Sequence, residues 1–437
     1  MNTEILEQEP IIDKSWSFTE CSPSQTSYIS HGYYTYPAKF IPQLANRLIQ
    51  KYSKENDTIV DPFLGSGTTL VESLVHNRIG IGTDINEIAA LVAKVKTTPL
   101  SPTELGIFYI ELEKKFKNRI FKEREIYLTK ANEKFNFHQR IEYWFKITQK
   151  EDLSILLYVI LEIQEENFRN FFLVAFSQIL KTCSIWLQKS IKPTRDLKKK
   201  EYHVIDVFSR QIKKMIKRNA EFYDLIKKNN QGNATEKLTN IDKYRKVICA
   251  DARKIPTPNE SINLIVTSPP YVTSYEYADL HQLPSYWLGY LEELSQFRQK
   301  FIGSSSMQRQ DLALNSKLAS QIVSKLGTNK KGREVSNYFS DMFETFQEMY
   351  RILKPNSKAC IVIGNTQFKG VDILNAEVFI EQMKFRGFEV EEIIKREIPS
   401  KMLPSTRDGK TGQFAKATKK DLKLAYPTEY ILVFNKS

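Results

Sequence analysis

Five consecutive residues, Thr267-Ser268-Pro269-Pro270-Tyr271, combine a small hydroxyl, two rigid prolines and an aromatic ring. Prolines fix φ and remove two N–H donors, so nearby carbonyls stand as acceptors on a backbone that does not flex. A serine hydroxyl beside such a carbonyl can grip an exocyclic amine, and the tyrosine offers a π-face to a planar base. An ordinary strand ending in a proline turn has the same local pattern. The weight therefore falls on a second group, roughly two hundred residues earlier.

That group is Asp61-Pro62-Phe63-Leu64-Gly65-Ser66-Gly67-Thr68-Thr69. Thr58-Ile59-Val60 reads as a short buried strand running into it, and Leu70, Leu74 and Val75 follow at helical spacing. A strand, a glycine turn and a helix start make a site for a charged ligand. The glycines allow close backbone approach, and the first helical turn offers unpaired N–H groups. A second strand, 79–83, ends in Asp84-Ile85-Asn86, about twenty residues on, where a carboxylate is placed for a ribose diol. A helix cap over 87–95 is the competing role for Asp84, and one residue can do both. The Gly-Lys-Ser/Thr of a phosphate-gripping loop is absent. Asp61, at the very end of the first strand, disfavours phosphate and suits a sulfonium or ammonium cation.

The proline motif is delivered by the β-branched run 262–266, which follows polar Asn259-Glu260-Ser261. Both motifs sit at carboxyl ends of strands, where open α/β sheets bind ligands. Pro42 with Leu44, Leu48 and Ile49 predicts a helix with an apolar face. A strand over 246–250 ends at Asp251 and Ala252. Beyond the motif come helix 335–353, turn 354–357, strand 359–363, helix 372–386, strand 388–394 and strand 429–434. Residues 101–245 break the alternation. Leu, Ile and Phe recur at helical spacing over 107–121, 152–165 and 168–186, which predicts a helical module, with 227–234 as a flexible return linker. The chain thus divides into 1–100, 101–245 and 246–437. The glycine-flecked stretch 296–334 predicts a mobile loop. Tyr275, Tyr277 and Trp287 are candidates to line a base pocket, although aromatic helix positions are more often core.

At 437 residues the chain exceeds one average domain, and 41% hydrophobic content supplies real cores. No stretch has the apolar length of a membrane span, and Glu4, Glu7 and Glu9 argue against a secretory signal. Cys21, Cys183, Cys249 and Cys360 lack any Cys-x-x-Cys pair, a pattern of reduced thiols in a cytoplasmic protein without zinc. The net charge of +13 favours a polyanionic partner through counterion release. About 10 of the 13 excess charges lie in 101–245, the footprint of a nucleic-acid-facing part. The densest run includes Lys192, Arg195, Lys198, Lys199, Lys200, Lys213, Lys214 and Arg218. Arg407 and Lys410 belong to a second basic stretch, 401–423. Phosphate contact competes here with a solvated helix face.

Asp-Pro-Phe-Leu-Gly-Ser-Gly-Thr-Thr at 61–69, Gly-Thr-Asp-Ile-Asn at 82–86 and Thr-Ser-Pro-Pro-Tyr at 267–271 together resemble the motifs of amino-methylating DNA methyltransferases. That family moves a methyl group from S-adenosylmethionine to N4 of cytosine or N6 of adenine. Tyr36-Pro37-Ala38-Lys39-Phe40-Ile41-Pro42 resembles the family's extra cofactor motif. The resemblance implies a Rossmann-like α/β methyltransferase sheet, mostly parallel with an antiparallel last strand, and target recognition in the helical insertion. It implies cofactor contacts from Tyr36, Pro37, Lys39 and Phe40, from Asp61, Pro62, Phe63, Gly65, Ser66, Gly67, Thr68 and Thr69, and from Asp84, Ile85 and Thr267. Asp251 with Ala252 matches the contact near the adenine amino group, or caps a turn. Ser268, Pro269, Pro270 and Tyr271 become the amine-binding residues, acting on a base flipped out of duplex DNA by direct in-line transfer, without a metal. A cognate restriction endonuclease is an implied partner. Serine after Thr267 resembles the cytosine-N4 members more than the adenine-N6 members. An RNA guanine-N2 methyltransferase shares a similar glycine loop and proline motif, but carries an RNA-binding module ahead of its core.

Overall fold

Alternating aliphatic side chains, directed to two faces of one sheet, set the architecture. The computed structural model describes residues 10–37, 40–229, 232, 234–272, 277–304, 313–368, 370–398, 406–408, 422–424 and 427–437. Five strands come first, β1 (Thr58–Asp61), β2 (Ile79–Asp84), β3 (Arg245–Cys249), β4 (Ile262–Thr267) and β5 (Leu353–Ile363). Short hairpins β6 (Thr366–Phe368) with β7 (Val371–Ile373), and β9 (Thr406–Asp408) with β10 (Leu422–Leu424), alternate with the long strands β8 (Phe388–Glu397) and β11 (Thr428–Lys436). The main sheet has the order β3-β2-β1-β4-β5-β11-β8. Its first five strands pair in parallel, and β11 runs antiparallel between β5 and β8. This is the doubly wound, mostly parallel methyltransferase-type sheet that the motifs imply.

Strands covered on both faces are apolar throughout. Val60, Ile265, Ile361 and Leu432 pack on one face with Phe339, Phe346 and Phe379 from the helices Lys330–Ile352 and Asn375–Arg386. Ile59, Leu264, Val266, Val362 and Ile431 meet Leu44 and Leu48 of the helix Pro42–Tyr52, with Trp16, on the other. Local signals start and stop these helices. Pro42 opens one after extended Ile41, Asn86 caps the helix Glu87–Lys96 by accepting from Ile88 N at 3.0 Å, and left-handed Gly387 closes Asn375–Arg386. Asn86, not Asp84, is therefore the cap.

The segment 101–245 is helical, and it shares its core with the sheet layer. Phe171, Phe172 and Phe176 of the helix Glu166–Cys183 pack in one cluster with Tyr33, Ile88 and Val92 ahead of the insertion and Leu283 and Trp287 beyond it. The amphipathic helix Val204–Asn229 buries Phe222 and Ile226 against Val71 and Leu74 of the helix Thr68–Val75. Asn219 on that helix bonds both the N–H and the carbonyl of Leu100, at 3.0 and 2.7 Å.

Four expected boundaries shift. The helix read at 152–165 is Ile147–Ile160, because Lys146 holds an extended N-cap backbone. The linker 227–234 is helical to Asn229 and again from Ala234, while Asn230, Gln231 and Asn233 lie outside the described residues. Within 296–334 the structure holds the helices Leu294–Lys300 and Lys317–Leu326, and the next helix already begins at Lys330. The second of these buries Ala319, Ile322 and Leu326, an apolar stripe that its polar neighbours mask in the sequence. The turn 354–357 lies inside β5 as an irregularity, with the register to β4 shifting after Ile262 and Asn356 at φ 60°.

Phe222 has no exposed surface at the contact between insertion and cofactor layer. Phe222→Ala is expected to lower the unfolding free energy by about 3–5 kcal/mol. Chemical denaturation followed by far-UV and tryptophan signals checks this, with one shared transition expected; a separate early transition of the helical segment would show that the layers fold independently.

Candidate active site

β1, β2 and β4 end side by side at Asp61, Asp84 and Thr267, where the strand order reverses between β1 and β4. A pocket opens there. Tyr36, Pro37, Phe40, Pro62, Phe63, Leu64, Gly65, Ser66, Thr68, Asp84, Ile85, Asp251 and Ala252 line it, with Ser268, Pro270, Tyr277, Phe301 and Ile302 on its far side. Asp84 accepts from Gly65 N at 2.8 Å and from Asn86 N at 2.9 Å, one bond to each oxygen. A carboxylate has about four acceptor positions, so capacity for a diol remains. The rings of Tyr36, Phe40 and Phe63 supply apolar walls for a nucleoside. Burial pushes the Asp84 carboxyl up to about 6, opposed by its backbone N–H bonds.

The glycine turn is not a phosphate cradle. Gly65 N is given to Asp84 and Gly67 N to Leu64 O at 2.8 Å. Gly65 and Gly67 sit at φ 48° and 80°, and a Cβ on Gly67 would lie 3.0 Å from that of Ala93. The donor set fits a ribose and a cationic sulfonium better than a pyrophosphate. Asp251 lines the same pocket with its carboxylate gripped by Arg253, whose Nη2 lies 2.6 Å from Oδ2 and whose Nη1 reaches Asp341 at 2.8 Å. Asp251 Oδ1 also accepts from Arg253 N at 2.9 Å, so the carboxylate caps the turn after β3 as well as lining the pocket.

Four expected cofactor contacts lie behind the pocket wall. Asp61 is buried, and its carboxylate accepts from Thr69 Oγ1 at 2.8 Å, Thr267 Oγ1 at 2.7 Å and Phe63 N at 3.1 Å. Those bonds tie the helix Thr68–Val75 and β4 to the end of β1. Asp61, Thr69, Thr267 and Gly67 do not line the pocket; they shape the loop that does. Burial raises the Asp61 carboxyl to about 6, against three hydrogen bonds that favour the anion. Lys39 lies outside the described residues.

The proline motif leaves β4 with each part held. Ser268 lines the cofactor pocket, and Tyr271 lines a second, larger cleft of about 910 Å³. Pro270, Tyr277, Phe301 and Ile302 line both spaces, so the two adjoin. Tyr338 Oη donates to the Pro270 carbonyl at 2.8 Å, and Tyr271 Oη donates to Glu429 at 2.8 Å. Arg396 pairs with the other oxygen of Glu429. The Tyr271 ring packs on Gly364, where a Cβ would meet it at 3.0 Å. Trp287 is core, edge-on to Phe137, Phe145 and Phe176, and Tyr275 lies outside the described residues.

The cleft sorts the basic residues. Lys192 and Arg195 line it, together with Arg140, Arg298, Lys330 and Lys331, which the sequence reading did not single out. Lys199 is half-buried instead, with Nζ donating to the carbonyls of Lys181 and Trp186 at 2.6 and 2.7 Å; burial lowers it to about 8. Lys198, Lys200, Lys213 and Lys214 are exposed away from the cleft lining, and Arg218 pairs with Glu221. The side chain of Arg407, like the whole of Lys410, lies outside the described residues.

Tyr338, Glu429 and Arg396 escape sequence reading because their partners lie far along the chain. So does Glu72. Fully buried on the helix after the glycine turn, it accepts from Tyr28 at 2.6 Å, His31 at 2.7 Å and Asn46 at 2.9 Å. Buried Lys96 faces it and places Nζ 3.2 Å from Ser66 Oγ. A charged residue at an otherwise apolar helix position was the available signal.

A pocket at the switch point of a mostly parallel sheet, adjoining a basic cleft across the proline loop, is the architecture of an α/β methyltransferase. The family model of N6 and N4 methyltransferases, described as DNA methylase, matches residues 3–95 and 262–437. The chain belongs to this DNA methylase family, and S-adenosylmethionine is its methyl donor. It is 28% identical over 408 residues to the Type II methyltransferase M.MvaI of Kocuria varians, covering 87% of each chain. It is 24% identical to the Type II methyltransferase M.BsoBI of Geobacillus stearothermophilus, over 88% of this chain and 83% of that one. With the Type II methyltransferase M.MjaII of Methanocaldococcus jannaschii it shares 30% identity over 148 residues, 32% of this chain and 27% of that one. The family match omits the whole of the helical insertion.

Two outcomes are expected of this site. With the Asp84 anion as the expected acceptor for a diol, the Kd for S-adenosylmethionine should be flat above about pH 7 and rise by up to tenfold per unit below about pH 6. Asp84→Asn should bind weakly without that slope; titration calorimetry from pH 8 to 5 reads both. The linkage to folding has the opposite sign. A carboxyl raised from 3.8 to about 6 destabilises the folded state as pH rises through that window, so weaker binding at acid pH cannot come from this group unfolding the protein. Tyr338→Phe removes the bond to the Pro270 carbonyl, and should cut kcat by about 2- to 12-fold while leaving the cofactor Kd unchanged.

Proposed function

We propose that this chain is a site-specific DNA methyltransferase that methylates N4 of cytosine in duplex DNA, after the target base leaves the stack. The observation that carries the reading is the shared boundary of the two spaces: Ser268 lines the cofactor pocket, Tyr271 the basic cleft, and Pro270 both. A base drawn into the cleft would reach the cofactor across the boundary that this loop forms with Tyr277, Phe301 and Ile302. The cofactor supplies an electrophilic methyl group.

The chain's own residues have three tasks. An aromatic amine is a poor nucleophile, because its lone pair is drawn into the ring. Ser268 Oγ and a carbonyl of the proline turn accept its protons, pull its geometry toward tetrahedral and localise that pair. Pro269 is buried and lines neither space; Pro270 lines both, and its carbonyl keeps one lone pair beyond its bond from Tyr338. Tyr271 provides a face for the extruded base, and its hydroxyl stays protonated, since burial beside Glu429 pushes its pKa well above the usual range. Orientation in a pocket that excludes water then does the rest. The exposed cations of the cleft support a polyanionic substrate. Cytosine rather than adenine rests on serine as the residue after Thr267. The Type II relatives support a role beside a cognate restriction endonuclease in the cytoplasm, and no helix among the described residues is long and apolar enough to cross a membrane.

The test is mass spectrometry of nucleosides from unmethylated duplex DNA of diverse sequence, incubated with the protein and S-adenosylmethionine. N4-methylcytosine is expected. N6-methyladenine would keep the mechanism and overturn the base, and methylated tRNA with unmodified DNA would move the substrate to RNA.

A further inference from the structure

The insertion contributes to the cleft a braced hairpin, 185–196. Trp186 and Arg195 pair antiparallel, Leu187 N donates to Thr194 O at 2.8 Å and Asp196 N to Ile185 O at 2.7 Å. Its base is anchored to the helix Gln139–Trp144: Ile185 N donates to Trp144 O at 2.9 Å, and the Trp144 and Trp186 rings stack 5.2 Å apart. Its tip is cross-braced from below. Lys181 Nζ and Trp186 Nε1 both donate to Ser190 O, at 2.9 and 3.2 Å. Lys199 adds its bond to Trp186 O.

This bracing leaves exposed cations on a fixed backbone. Lys192 and Arg195 are exposed and line the cleft that holds Tyr271. The Arg195 guanidinium lies 4.1 Å from the ring centroid of Tyr143, which is 43% exposed, with Arg140 5.4 Å from the same ring. Among the described residues Arg140, Lys192 and Arg195 have no carboxylate partner. The carboxylates that line the cleft are already matched, Asp279 by Arg298 and Glu334 by Lys331. A guanidinium held over a ring by its cationic carbon spends no N–H donor on that contact, and its planar fork matches O6 and N7 of guanine. A lysine is a point charge better suited to a phosphate.

We propose that the hairpin 185–196 is a base-reading element of this protein, in which Arg195, laid on Tyr143, contacts a guanine edge in the target duplex while Lys192 contacts the backbone. The proposal rests on the DNA methyltransferase reading. Arg195 sets which sites are modified; it takes no part in the methyl transfer itself.

The experiment gives the full-length wild type, Arg195→Ala, Arg195→Lys and Lys192→Ala a pool of duplexes with randomised sequence, with S-adenosylmethionine, and reads methylated sites by sequencing. Melting temperature and cofactor Kd check that each variant is folded, and Arg195→Lys, which keeps the charge, serves if the alanine variant is unstable. Both Arg195 variants should lose about 5- to 150-fold of the preference for guanine at one position and keep the others. Lys192→Ala should keep the site preference, weaken binding evenly and lower the salt slope by about 1. An unchanged site preference in folded Arg195→Ala would overturn the base-reading role while leaving methyl transfer intact. No methylated DNA from the wild type would overturn the function and this inference together.

Discussion

One buried carboxylate joins the two halves of the chemistry. Asp61 takes a hydroxyl from Thr69, which opens the helix after the glycine turn, and a hydroxyl from Thr267, 206 residues further on. A carboxylate out of water is costly unless its acceptors are filled, and here two hydroxyls and the Phe63 N–H fill them. Because those donors come from different strands and a helix, the charge is stable only when β1, β4 and the helix Thr68–Val75 stand in one arrangement. Ser268 is the next residue after Thr267. The distance between the glycine turn and the proline loop is therefore inherited from this interaction.

The same logic extends outward through polar pairs set in apolar layers. Glu429 holds Tyr271 from β11, which is antiparallel and last in the chain, and Arg396 on β8 holds Glu429. Glu72 and Lys96 sit under the glycine turn, where unpaired charge would be strongly unfavourable; Tyr28 and Asn46 donate to Glu72, the Lys96 charge favours its anion, and Lys96 reaches Ser66. Burial of polar groups with filled partners confers uniqueness as much as stability, since a shifted register leaves several groups unsatisfied at once. The pocket at the glycine turn and the proline loop are each fastened from behind by such bonds. Their open sides meet at Pro270 and Tyr277.

The helical insertion is integrated with this frame rather than hung from it. Its phenylalanines share one core with the helix Glu87–Lys96 and with the segment that follows the proline motif. That continuity fixes the hairpin 185–196 relative to Tyr271. Within the basic run, packing separates structural cations from free ones: Lys199 satisfies carbonyls beneath the hairpin, whereas Arg195, four residues earlier, lies on its surface. Charge density alone does not make that distinction.

Local order was legible in the chain because local interactions create it. The strand runs, the glycine turn at positive φ, the proline motif and the position of Asp84 all follow from periodicity and backbone preference, so the parallel sheet and most of the pocket lining could be named from residues alone. Two kinds of feature could not. Helix Lys317–Leu326 read as a loop, since the apolar stripe of Ala319, Ile322 and Leu326 is short and set among polar residues in a glycine-flecked stretch. Asp61 read as a ligand contact, since nothing near it in sequence shows that Thr267 will occupy it. By itself the sequence determined the long strands of the sheet, most of the helices that cover them and the two motifs at the strand ends, because those depend on neighbours along the chain. Only the tertiary structure decided which carboxylates face the ligand and which hold the frame, and which lysines are free, because a buried charge takes its role from partners that folding alone brings within hydrogen-bond reach.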